Sequence, residues 1–218
     1  MQRRQFTLAS LAATASTLCL QSPAQAQGPS KFLAGKDYLK LDRPVATDTE
    51  AGKIELIEFF WYSCPHCNAF EPTFAQWVKN APKDLMVRRI PVAFRDDFAP
   101  QQRLFFALEA MGLLEKLHAK VFQAVHVERL PLNTDALILG WVEKQGVDKL
   151  KFADTVKSFG VASKLKRAAQ LQNDFKIEGV PSLGVAGKYY TDGSLAGNME
   201  RALQVAESLL NQVRQGRT

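Results

Sequence analysis

Two cysteines separated by two residues, in the run Ser63-Cys64-Pro65-His66-Cys67, are the side chains of this 218-residue chain best suited to chemistry. Thiol–disulfide exchange needs one accessible thiolate and a neighbouring thiol that can close the ring again. A spacing of two residues brings both sulfurs within bridging distance on the first turn of a helix. A cysteine at a helix start meets unpaired backbone N–H groups and the positive end of the dipole, and both stabilise S⁻. Pro65 suits the first helical position, because its missing N–H orphans nothing and its φ is already helical. His66, when protonated, adds positive charge and a donor near the sulfur; otherwise it is an ordinary solvated helix residue. Together these features lower the pKa of Cys64, and a stabilised thiolate leaves readily, so the disulfide form becomes an oxidant. Two blander uses of the pair are weaker. A zinc half-site needs two further ligands, and the remaining histidines, His118 and His126, are eight residues apart, outside the usual close spacing. A structural cross-link closing so small a loop would constrain the unfolded chain little.

The elements around the pair must hold it at a strand-to-helix junction. Lys53 to Phe60 is almost continuously apolar and rich in strand formers, as expected of a central strand covered on both faces. Beyond Cys67, Phe70, Phe74, Trp77 and Val78 recur at helical spacing. Leu85 to Phe94 reads as a second strand, giving a β-α-β unit whose crossover is the helix carrying the cysteines. From Pro100 to about Phe175 the pattern is helical throughout, with helices expected near 101–111, 113–127, 134–145, 148–159 and 162–174, punctuated by Gly112, Pro131, Gly146 and Gly160. Ser182-Leu183-Gly184-Val185 and Tyr189-Tyr190-Thr191 flank Ala186-Gly187-Lys188 as a hairpin, and an amphipathic helix capped by Asn198 closes the chain. A short alternating run at Tyr38 to Leu41 fits an edge strand, after a polar leader over 27–37. The expected fold class is α/β, in segments 38–98, an all-helical 99–175 and 176–218.

The ends set the compartment. Arg3-Arg4, an apolar run from Phe6 to Leu20 and Ala24-Gln25-Ala26 have the layout of a secretory signal cleaved after Ala26. The run is too short and too often interrupted by Ser and Thr to span a bilayer. Leu18 before Cys19 argues against a lipoprotein site, and the double arginine leaves the general secretory and twin-arginine routes both open. Cleavage would leave 192 residues, enough for a sizeable core, and would lower the formal net charge from +6 to +4. That excess is dispersed without a basic block, which disfavours nucleic acid as a partner. The mature chain would keep only Cys64 and Cys67, in an oxidising compartment.

Glu58-Phe59-Phe60-Trp61-Tyr62-Ser63-Cys64-Pro65-His66-Cys67, with Phe70-Glu71 behind it, resembles the active-site signature of the DsbA family of periplasmic thiol oxidases; Gly179-Val180-Pro181 and Gly187-Lys188-Tyr189 resemble that family's second landmark. The resemblance runs from about Tyr38 to the end. It implies a thioredoxin fold interrupted by an all-helical subdomain. It implies a monomeric periplasmic oxidase, without a cofactor, that donates the Cys64–Cys67 disulfide to reduced or unfolded exported proteins and is reoxidised by a quinone-linked membrane partner of the DsbB type. It implies that Val180 and a cis Pro181 face the reacting sulfur and pair with an extended client backbone. It further implies that Glu58 is a buried acid moving protons at Cys67, with Arg89 and Glu71 as its basic and acidic partners; a solvent-facing Glu58 is the alternative from the residues alone. Trp61 and Tyr62 fit either the core or the rim of a surface for apolar peptide. Ser63 stands where the family often has an aromatic residue, and Pro91 replaces a polar one. The competing readings are an isomerase or reductase, disfavoured by the short leader and by Val180 before Pro181, and a peptide-binding chaperone with an inert disulfide.

Overall fold

The computed structural model describes residues 31–216. The expected signal segment, its cleavage site and residues 27–30 of the leader therefore lie outside the described residues.

The core of the sheet is β2 (Ile54–Phe60), whose side chains are buried on both faces. Leu56 packs with α1 (Pro65–Lys79) and α8 (Met199–Arg214), whereas Ile57 and Phe59 pack towards the helical insertion. A strand buried on both sides cannot alternate apolar with polar, and its run of Ile, Leu and Phe follows from that. β3 (Leu85–Pro91) lies parallel to β2, with α1 as the crossover, and their register sets Glu58 opposite Arg89. β4 (Ser182–Val185) and β5 (Tyr189–Asp192) form an antiparallel hairpin on the other side of β2, and β1 (Leu39–Lys40) adds at the edge, giving the order β1-β5-β4-β2-β3. The hairpin turn puts Ala186 and Gly187 at φ of 51° and 65°, as a type I′ turn requires. At Gly187 a side chain is impossible for a second reason: a Cβ would lie 2.1 Å from the Val45 carbonyl oxygen, which is held there by the Val45 N–H bonding Gly187 O.

Between β3 and β4 run a single 3-10 turn (Asp96–Phe98) and five helices: α2 (Ala99–Ala110), α3 (Leu114–His126), α4 (Asp135–Lys144), α5 (Lys149–Val156) and α6 (Phe159–Asp174). This is a thioredoxin fold with an all-helical insertion. Gly160 does not separate two helices as its type suggested. Ser158 caps α6 by accepting the Val161 N–H, and Gly160 sits inside the first turn. A side-chain cap outweighs the modest cost of a glycine near a helix end. A one-turn helix α7 (Gly193–Ala196), capped by Asp192, was not anticipated.

The leader is also less loose than its composition implies. Phe32 is buried in the cluster that contains Phe70 and Phe74, and the buried Asp37 carboxylate accepts the Leu33 N–H at 2.8 Å while pairing with Arg201 of α8. Residues 31–37 are thus anchored by one aromatic side chain and one buried charge, two signals too sparse to register as periodicity.

Candidate active site

The chain leaves β2 at Phe60 and turns sharply, with the Cys64 N–H bonded to Trp61 O at 3.1 Å. Cys64 is the N-cap of α1 and Pro65 its first residue; the Cys64 sulfur accepts the Cys67 N–H at 3.4 Å, as a capping oxygen would. The two cysteines are unbridged. Cys64 retains a little exposure and points its S–H at the Val180 carbonyl, 3.3 Å away, next to a cis Val180–Pro181 bond. Cys67, one turn inward, is fully buried.

That difference in placement separates the two thiols chemically. Donation from the Cys67 thiol, together with the backbone N–H groups of Cys67 and His66 and the charge of His66, outweighs burial and lowers Cys64 to about 6. Cys67 is driven far above an ordinary thiol, chiefly by burial and then by the adjacent Cys64 sulfur, with Glu58 adding to the effect.

Beneath the pair lies a group of charges with one cation for two acids. Arg89 Nε donates to Glu58 at 3.1 Å, and its Nη2 donates to both oxygens of Glu71 at 2.9 and 3.1 Å, with the guanidinium over the Phe74 ring. Glu58 and Glu71 are both buried. Burial raises Glu58 to about 8; Arg89 opposes that, but its charge is divided, and Glu71 pushes the same way as burial. Glu58 is thus placed to hold a proton near neutrality.

His118 and His126, whose spacing told against a zinc site, stand around Tyr62, two residues before Cys64. Tyr62 is fully buried, its hydroxyl 2.8 Å from His118 Nδ1, and its carbonyl oxygen accepts from His126 Nε2 at 2.8 Å. His118 and His126 share one face of α3 with the buried Phe122 between them, so the i, i+4, i+8 stripe was the available signal. Ser63 accepts a 2.7 Å hydrogen bond from Gln101, and the half-buried Trp61 stacks on Phe98 at 3.7 Å between ring centres. Tyr62 is therefore core, and Trp61 is a partly exposed neighbour of the site.

Pro65, His66, Val180 and Pro181 surround Cys64, while Glu58, Glu71 and Arg89 form the layer below. Beside Cys64, His66, Phe70, Val180, Pro181 and Met199 line a groove of about 450 Å³. A second cavity of about 850 Å³, on the side of the helical insertion, is lined by Glu71, Arg89 and His118 among others.

Comparison with known proteins places this arrangement among relatives. The profile of the DSBA-like thioredoxin domain matches residues 55–204. The thiol:disulfide interchange protein DsbA of Burkholderia cepacia is 41% identical over 185 residues, covering 85% of this chain and 87% of the relative. The protein of the same name from Bordetella pertussis is 39% identical over 216 residues, 98% of this chain and all of the relative. The crystal structure of Pseudomonas aeruginosa DsbA superposes with a TM-score of 0.81 at 37% identity, covering 85% of this chain and 96% of that one.

Proposed function

We infer that this chain, which belongs to the family of DsbA-like thioredoxin domains, is a thiol:disulfide oxidoreductase that oxidises cysteine pairs by donating a Cys64–Cys67 disulfide. The observation that carries the reading is the contrast between the thiols: an acidic sulfur at the mouth of a groove and a buried one directly behind it.

In the donating direction, a client thiolate attacks Cys64 Sγ of the disulfide, the S–S bond breaks, and Cys67 departs with the electron pair. The buried Cys67 thiolate is costly, so it takes a proton, and Glu58 is the donor nearest in pKa to neutrality. A second client thiolate then attacks the client sulfur of the mixed disulfide and expels Cys64 as a thiolate. Cys64 leaves readily because backbone donors and the Cys67 thiol already stabilise its charge. The client loses two electrons and two protons, and the cysteine pair gains both electrons.

The remaining roles follow the same arrangement. Val180 and Pro181 offer their backbone to the client chain, and Phe70 and Met199 give the groove apolar surface beside His66. Arg89 and Glu71 hold Glu58 in place and tune it. The clients are reduced or unfolded exported proteins, the compartment is the periplasm, and a quinone-linked membrane protein of the DsbB type reoxidises the pair. The test is oxidation of a reduced, unfolded protein by the purified disulfide form. A rate above that of glutathione disulfide at equal concentration supports the reading. Failure to exceed it, together with absence of reducible adducts on a Cys67→Ser variant, would leave a chaperone with an inert disulfide; clients enriched in mispaired cysteines would point to an isomerase.

A further inference from the structure

The mechanism above makes no use of His118, yet this buried ring joins the inserted helical block to both halves of the site. Its Nδ1 lies 2.8 Å from the Tyr62 hydroxyl, and its Nε2 lies 3.5 Å from Glu71 Oε2. Nε2 is also one of the buried side-chain atoms that, among the described residues, have no hydrogen-bond partner; the acceptor it faces, at a distance longer than a normal hydrogen bond, is the Glu71 carboxylate. The ring is walled by Phe60, Phe105 and Phe122, which fix its plane edge-on.

Chemistry selects one tautomer. Among the described residues the Tyr62 hydroxyl has no other partner than Nδ1 and donates to it, which leaves the ring proton on Nε2, facing Glu71. Burial holds the ring neutral by lowering its pKa. We propose that His118 is a positioning residue for the proton at Cys67: by presenting Nε2–H to Glu71 it keeps Glu71 the ionised member of the acid pair and leaves the shared proton on Glu58. Two buried carboxylates beside one guanidinium hold one proton between them. Whichever acid has the additional donor keeps the charge, and His118 supplies that donor to Glu71 alone. The ionisable groups that act on Glu58 are Arg89 of β3 and Glu71 of α1, with Cys67 and Tyr62 responding to its charge; β4 brings none, reading Ser-Leu-Gly-Val. Arg89 gives Glu71 two contacts and Glu58 one, so it leans the same way, and the His118 donor adds to that bias.

The inference rests on the oxidase reading and specifies how the proton at its buried cysteine is assigned. Removing the donor with His118→Phe should let the proton move to Glu71, free Arg89 to pair with Glu58, and shift the pH profile of mixed-disulfide formation down by about one unit or more, about tenfold in rate at a pH between the two midpoints. His118→Gln, which keeps a donor and an acceptor, should restore most of the profile. Cys64 alkylation should be unmoved in both, because its acidity comes from the start of α1. A profile that ignores His118→Phe, or a Gln variant no nearer wild type than Phe, overturns the proposal. If His118→Phe does not fold, the nitrogen chemical shifts of wild-type His118 decide the matter: the Nε2–H tautomer, with an inflection that follows Glu58, supports it, and the Nδ1–H tautomer rules out the donor to Glu71. A wild type that fails to oxidise a reduced client sinks the oxidase reading instead, and leaves the tautomer result standing.

Discussion

The first turn of α1 and the layer beneath it achieve opposite ends with opposite means. At the turn, Cys64 is made acidic by backbone N–H groups, a neighbouring thiol and a flanking histidine, all within four residues of chain. In the layer, Glu58 is kept protonated near neutrality by desolvation, against an arginine divided between two acids from separate elements. The first device is cheap, since helix ends carry unsatisfied donors in any fold. The second is costly, since buried charge must be held by long-range contacts. Reactivity at the surface is thus local, and proton handling below it belongs to the tertiary structure.

The contrast breaks most severely if the nucleophile is removed. Cys64→Ser should reduce client oxidation by about a thousandfold or more, since Cys67 is buried and cannot substitute. Cys67→Ser, keeping the attacking sulfur but removing the resolving one, should accumulate covalent client adducts on gels run without reductant. Equal trapping by both variants would show that the two sulfurs are interchangeable.

Next in size is the layer itself. Arg89→Leu strands Glu58 and Glu71 without their cation, and should cost about 3–5 kcal/mol of stability by denaturant unfolding at pH 7. The loss should shrink as the pH falls and the stranded acids protonate. A cost below 1 kcal/mol, as for about the median exposed ion pair, would mean that the layer is solvated.

Glu58→Gln tests the sign of the burial. The folded-state pKa of Glu58 is raised to about 8 from an ordinary value of 4.5, so its ionisation opposes folding increasingly as pH rises between those values. Stability of the Gln variant relative to wild type should therefore be greater at pH 8 than at pH 5, by about 1–3 kcal/mol, while mixed-disulfide formation slows. An advantage that does not depend on pH would place Glu58 in water.

The smallest effect belongs to His66. Its backbone N–H contributes to Cys64 before its ring charge does, and an alanine keeps that N–H. His66→Ala should raise the Cys64 pKa by less than about one unit, within the range of a single helix-terminal charge. A larger rise would transfer the acidity from the backbone to the imidazole.

The same division explains what could be read from the amino-acid order. Cys64, Pro65, His66 and Cys67 were legible as chemistry because their action needs only a helix start. β2 was legible because burial on both faces leaves a continuous apolar run. The pairing of Glu58 with Arg89 follows from parallel register across 31 residues, which the residues alone do not fix, although the family resemblance pointed to it. The stripe on α3 could place His118 on a buried face but not against Tyr62, 56 residues away, because a histidine on an apolar helix face looks the same whether it packs or bonds. Phe32 and Asp37 were hidden in the same way, as isolated anchors within a polar leader.

The most direct measurement is alkylation of the reduced protein as a function of pH, with the modified cysteine identified by mass spectrometry. Cys64 should label with a midpoint near 6, and Cys67 should stay unmodified until the protein is unfolded. Reduced-form stability should follow the same group: because the folded pKa lies below the unfolded one, the contribution of Cys64 is full above the unfolded value and is lost as the pH falls through about 6. Two cysteines labelling together, both with the midpoint of a free thiol, would contradict the division between an acidic surface sulfur and a buried resolving one.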